Sequence, residues 1–116
     1  RIARRVDEML RQGLAEEVMR LEGEGAFLPL PDGSPSTAAQ AIGYKEMLAA
    51  LRPGNSPESA REAIITATCR YAKRQMTWLG AMPYVHRIDI LTDGTDPAEE
   101  AYEIIEAAGI LPAGAC

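Results

Sequence analysis

The chain has 116 residues (12.5 kDa), is 47% hydrophobic and 25% charged, and carries a formal net charge of −5. That length suits one domain with a real core, and the composition excludes a wholly disordered chain. No apolar run approaches the roughly 20 residues that a bilayer-crossing helix needs. No signal peptide or lipidation motif is present, so no membrane partner and a cytoplasmic setting are expected. Cys69 and Cys116 are too few and too far apart in sequence for a disulfide framework or a metal site.

Charge is unevenly spread. After Arg87 there is no Lys or Arg, but seven acids follow: Asp89, Asp93, Asp96, Glu99, Glu100, Glu103 and Glu106. Up to Arg87, twelve basic groups stand against ten acidic ones. The acidity belongs to the tail, and an anionic partner for the rest is not excluded.

In chain order, residues 1–12 place Ile2, Val6, Met9 and Leu10 at helical spacing, and Gly13 is a C-terminal stop. The chain opens in helical pattern with no initiator Met, as expected of a piece of a longer protein. Leu14, Val18 and Leu21 continue a second helix that fades near residues 23–25, with Glu16 and Glu17 where the helix dipole favours acids. Pro29, Pro31, Gly33 and Pro35 mark residues 25–36 as loop. Thr37-Ala38-Ala39-Gln40 fits a capping box. A third helix should then run through Leu51, with Ile42, Met47, Leu48 and Leu51 inward. Gly43 falls inside it, where glycine costs about 1 kcal/mol relative to alanine; close backbone approach is the expected reason.

Arg52-Pro53-Gly54-Asn55 reads as a turn, and Ser56-Pro57 as the N-cap and first position of the longest helix, ending near Leu79. Its apolar seam is Ile64 or Ile65, Thr68, Ala72, Met76 and Leu79, and Pro83 ends it. Residues 85–91 alternate like a strand that has no partner in the chain and should join a sheet elsewhere. Asp96-Pro97 starts a last helix, with Ala98, Tyr102, Ile105 and Ala108 on one side and acids mostly on the other, stopped by Gly109. The expected fold class is mainly α: four to five helices and one short C-terminal strand, forming a single helical region over residues 1–116.

Three stretches could carry chemistry. On a helix Arg70, Lys73, Arg74 and Thr77 share one stripe with no nearby acid, and Gln75 and Trp78 add an amide and a stacking face. Taken alone, such a stripe is more often a solvated basic face. Gln40-Ala41-Ile42-Gly43-Tyr44-Lys45 combines a glycine with an amide, a phenol and an ammonium, which suits either a ligand or a close helix crossing. Arg1 and Arg5 share a helix face and could clamp a phosphate, or could belong to a frayed terminus. His86, the one histidine, has no nucleophile–base partner, and the five methionines read as core filler. No Gly-rich phosphate loop, zinc-ligand spacing or paired-carboxylate site is evident. The chain holds no complete active site.

Three ordered motifs carry a resemblance. They are Arg1-Ile2-x-x-Arg5-Val6-Asp7-x-Met9-Leu10-x-x-Gly13-Leu14-x-x-Glu17-Val18, then Gln40-Ala41-Ile42-Gly43-Tyr44-Lys45-Glu46, then Tyr71-Ala72-Lys73-Arg74-Gln75-x-Thr77-Trp78. In this order and spacing, over roughly residues 1–90, the chain resembles the C-terminal part of the tRNA dimethylallyltransferase (tRNA isopentenyltransferase) family. The resemblance implies an enzyme that moves the dimethylallyl group of dimethylallyl diphosphate to N6 of an adenosine beside the tRNA anticodon. It also implies a parent, expected to be a monomer, whose phosphate-binding loop, parallel sheet and catalytic aspartate lie upstream of Arg1. This chain alone would be inactive.

On the same basis Arg5 would hold the diphosphate. Gln40, Ala41, Ile42, Gly43, Tyr44 and Lys45 would contact the tRNA anticodon stem-loop, as would Lys73, Arg74, Gln75, Met76, Thr77, Trp78, Leu79 and Gly80. Magnesium would accompany the diphosphate, with its ligands upstream. Members usually carry a basic residue where Cys69 stands and commonly one where Gly80 stands, so phosphate contacts and salt sensitivity should be reduced here. The alternative, on composition, is a non-enzymatic helical nucleic-acid-binding module. A purely structural helical interaction domain is a third.

Overall fold

Six α-helices make up the regular structure of the described residues in this computed structural model, which covers residues 1–90, 94 and 96–109. The chain divides into two units, Arg1–Thr77 and Trp78–Cys116. In the first, α1 (Ile2–Arg11) buries Val6, with Ile2, Met9 and Leu10 partly covered around it. Gly13 adopts φ +98°, a left-handed turn that glycine enters without steric cost, and the chain reverses into α2 (Leu14–Gly23). Leu14 and Val18, one turn apart, point into the core.

The Pro-rich stretch that follows is irregular, as its composition requires. Asp32 accepts hydrogen bonds from the Ser34 hydroxyl at 2.5 Å and the Ser34 backbone N–H at 2.9 Å, an Asx turn, and the two together, the hydroxyl foremost, depress the Asp32 pKa. Ser36 is buried and donates to the Ala26 carbonyl at 2.9 Å, tying the two ends of the loop together. Ser36, not Thr37, is therefore the N-cap of α3 (Thr37–Gln40), and no side-chain capping bond forms there. With Thr37 already the first helical residue and Ala39, which has no polar side chain, third after the cap, the expected capping box is not made.

The third expected helix is broken in two. After α3 the chain extends at Ala41 (φ −64°, ψ +134°), turns at Gly43 (φ +103°, ψ −57°), and restarts as α4 (Tyr44–Ala50). The glycine thus marks a break in the helix. Ile42, expected inward, is 40% exposed, whereas Met47 and Ala50 are buried. Leu48 and Leu51 are half-buried against the core.

The long helix α5 (Pro57–Gly80) starts at the expected proline. Ala60 and Ile64, four residues apart, are buried and complete the core of Val6, Leu14, Val18, Met47 and Ala50. A two-bond ion pair joins α1 to α5: the Arg61 guanidinium reaches Asp7 at 2.6 and 3.1 Å. This bond holds the Asp7 carboxyl below, and the guanidinium above, its ordinary pKa. Of the expected apolar seam only its first turns are covered; Met76 and Leu79 are exposed.

In the second unit, turns at residues 81–84 follow the helix end. Residues 85–90 form no strand, and no strand occurs among the described residues; Leu91 lies outside them. A ladder needs a partner, and the alternation of this segment meets none here. Asp96 caps α6 (Pro97–Ala107), accepting the Ala98 N–H at 2.9 Å, as the Asp-Pro start implies. Gly109 at φ +67° follows its end. The half-buried positions of α6 are Pro97, Glu100, Ala101 and Ile104, while Ala98, Tyr102 and Ile105 are exposed. Among the described residues no helix is long and apolar enough to cross a membrane.

Candidate anion and RNA interface

The three stretches singled out by sequence meet in the first unit. An apolar groove of about 340 Å³ is walled by Ile2, Val6 and Met9 of α1, Ile42 of the α3–α4 bend, and Ile64 of α5. Arg5, Thr68 and Tyr71 complete its lining. Each motif therefore reaches a common groove: the first through Ile2, Arg5, Val6 and Met9, the second through Ile42 and the third through Tyr71. Arg5 also lines an adjoining open cleft of about 510 Å³ with Arg1, Ile2, Arg4 and Glu8. The pairing of Arg1 with Arg5 expected from helical spacing is realised there.

Ion pairing separates the cations into two sets. Arg11, Arg20, Arg52 and Arg61 each hold a carboxylate. Among the described residues, Arg1, Arg4, Arg5, Lys45, Arg70, Lys73 and Arg74 make no ion pair and are exposed. These seven lie in the three stretches; Arg87, outside them, is exposed and makes no ion pair among the described residues either. Unpaired positive charge on rigid helices is suited to anionic ligands, because binding sacrifices no existing ion pair and orders little backbone.

The α3–α4 bend is held from behind. The Glu46 carboxylate accepts the Gly43 N–H at 2.8 Å, while the Met47 N–H returns to the Gly43 carbonyl at 3.0 Å. The Tyr44 hydroxyl donates to the Glu17 carboxylate on α2, which raises the phenol pKa. Its ring meets Phe27 edge-on, with centroids 5.7 Å apart. Gln40, Ala41, Ile42 and Lys45 are exposed, whereas Gly43 is buried and Tyr44 half-buried. The sequence reading gave Glu17 a helix-dipole role and Glu46 a place in a motif, but neither a bond to the bend. The spacing from Gly43 to Glu46 is a capping signal that could have found one of them. Nothing local links Glu17 to Tyr44.

On α5, Lys73, Arg74, Gln75, Met76 and Thr77 are all exposed. Gln75 Nε2 donates to the Tyr71 hydroxyl oxygen at 2.9 Å, and Thr77 Oγ1 donates to the Lys73 carbonyl at 3.0 Å. Trp78 is 64% exposed, so its ring is free to stack, and Leu79 and Gly80 are exposed too. A Cβ at Gly80 would meet nothing within 4 Å, so packing does not require glycine there. Cys69 is a free, exposed thiol, and Met19 and Met76 are exposed rather than core filler.

The donor set does not suit magnesium. Among the described residues no three His, Cys, Asp or Glu side chains converge, and Glu8, the acid beside Arg5, is engaged by Arg11 and Gln12.

Fold and site together define a helical segment that presents unpaired cations and an apolar groove on a rigid scaffold. Residues 1–82 match the family described as IPP transferase, and the chain belongs to that family. It is 46% identical over 89 residues to a tRNA dimethylallyltransferase of Kocuria rhizophila, covering 77% of this chain and 26% of that protein. To the tRNA dimethylallyltransferase of Streptomyces avermitilis it is 44% identical over 86 residues, covering 74% and 26%. To that of Streptomyces coelicolor it is 38% identical over 107 residues, covering 91% and 32%. The chain thus spans about a quarter of the length of the first two relatives. No solved structure matches it significantly.

Proposed function

We propose that this chain is the RNA-gripping helical wall of a tRNA dimethylallyltransferase. The adenosine N6 beside the tRNA anticodon would attack the allylic carbon of dimethylallyl diphosphate. The carbon–oxygen bond to the diphosphate breaks, pyrophosphate leaves, and the amine proton passes to a carboxylate outside this chain. Arg5 would hold the diphosphate, because a guanidinium stabilises the charge that builds on the leaving oxygen. The adenine must leave its stack to expose the amine, and Trp78 and the exposed apolar groups beside the cations are suited to line its path. Lys45, Lys73 and Arg74 would neutralise RNA phosphates, with Gln40 and Gln75 as hydrogen-bonding partners. The setting would be the cytoplasm.

The single observation that carries this reading is the meeting of Arg5, Ile42 and Tyr71, from three distant motifs, in one groove, with Arg5 making no ion pair there. Its test is a transfer assay on the full-length protein, with labelled dimethylallyl diphosphate and an anticodon stem-loop. Label should appear on the adenosine N6. Stem-loop binding with no transfer would favour the non-enzymatic RNA-binding module instead.

A further inference from the structure

An acid close to an RNA-binding surface repels phosphate unless it does something else there. Glu46 and Glu17 both sit behind the exposed stretch of the α3–α4 bend, and both are spent on internal bonds. Gly43 lies between the Lys45 N–H to Ala41 carbonyl bond and the Met47 N–H bond to its own carbonyl, both 3.0 Å, and neither engages its N–H. Its N–H, left without a helical acceptor by the break after Gln40, is taken by the Glu46 carboxylate. One residue on, Tyr44 is drawn inward by its hydroxyl bond to Glu17 and its edge contact with Phe27. The residues left exposed on either side are Gln40, Ala41, Ile42 and Lys45, and of these Gln40, Ile42 and Lys45 carry side chains long enough to reach a ligand.

We propose that Glu46 and Glu17 are positioning residues for RNA: Glu46 fixes the Gly43 bend and Glu17 anchors Tyr44, so that Gln40, Ile42 and Lys45 are held ready for the anticodon stem-loop. The inference rests on the RNA-binding role proposed above for this stretch. It divides the Gln40–Lys45 motif into contact residues and a support, Tyr44, whose phenol faces the protein. Preorganisation of this kind lowers the ordering that binding must otherwise impose on a bent segment. Both carboxylates act through another group and neither touches the reacting atoms.

The test uses the full-length enzyme. Glu46→Ala should raise the KM for the stem-loop about tenfold. The kcat at saturating RNA and the KM for dimethylallyl diphosphate should stay near wild type, and amide exchange at Gly43 should speed up. Glu46→Gln keeps a carbonyl acceptor and should restore most of the loss. Tyr44→Phe and Glu17→Ala should each raise the stem-loop KM, and the double variant should do no more than either alone. An unchanged or lowered KM in Glu46→Ala, the result of simple charge repulsion, overturns the proposal. So do additive effects of the Tyr44 and Glu17 substitutions, which would make the phenol an independent RNA contact. A wild-type enzyme with no transfer activity removes the proposed function and this inference with it. An active wild type with a KM insensitive to Glu46→Ala removes the inference alone.

Discussion

Replacing Gly43 by alanine isolates one physical effect. A Cβ built there lies 3.8 Å from Met9 Cε, an ordinary van der Waals distance, so packing neither forbids nor rewards it. The backbone does forbid it: φ +103° with ψ −57° lies outside the left-handed region that other residues sometimes enter. Holding a non-glycine residue in so sparse a conformation costs about 1–3 kcal/mol. That corresponds to roughly a 5- to 150-fold change in an equilibrium constant. Relieving the strain means giving up bonds at the bend: Glu46–Gly43, the Lys45–Ala41 and Met47–Gly43 backbone bonds, or Tyr44–Glu17. Urea denaturation followed by helical circular dichroism should show a loss of that size with an unchanged denaturant slope. Gly80→Ala is the control: its φ is ordinary, its Cβ meets nothing, and stability should hold or rise slightly. A Gly43→Ala variant as stable as wild type would mean that the bend is not an enforced conformation.

Three further outcomes are expected. Arg5→Ala in the full-length enzyme should lower the transfer rate by roughly 10- to 150-fold, the worth of a charge-assisted hydrogen bond, while stem-loop affinity holds; a fall in RNA affinity alone would assign Arg5 to the other ligand. Lys73→Ala with Arg74→Ala should weaken stem-loop binding and flatten the slope of log affinity against log salt by about 1.4–1.8 for two lost phosphate contacts, and an unchanged slope would exclude phosphate neutralisation by this pair. Asp7→Asn tests the α1–α5 brace through pH. The Asp7 carboxyl is depressed in the fold, so its bond to Arg61 is present above the ordinary value of 3.8 and lost as pH falls through the folded one. The variant should therefore show less of the acid-induced fall in stability below about pH 4 than wild type.

Elements whose signals are local were readable. Gly13, Ser56-Pro57 and Asp96-Pro97 mark helix boundaries where the structure has them, since a cap or a proline acts on backbone groups within one turn. The error at residues 37–51 has the same origin in reverse. A helix-compatible run with one glycine reads as continuous, and the expected Thr37 box fails because the helix starts at Thr37 itself, with Ser36 in the cap position. The α5 seam keeps its helical period to Leu79, yet burial stops well before it. Periodicity records which residues share a face, not whether anything covers that face.

From sequence alone, then, come the helical class, the family motifs and the inventory of chemical groups: three arginines on α1, an amide–glycine–phenol–ammonium run, and a basic stripe. All of these are properties of neighbours along the chain. Tertiary structure decided which groups are free to act. Packing around Val6, Val18, Met47 and Ile64 brings Arg5, Ile42 and Tyr71 to one groove, leaves the motif cations without carboxylates, and turns the Tyr44 phenol onto Glu17. Those outcomes depend on distances between residues far apart in the chain, which burial of apolar surface sets only once the whole unit has folded.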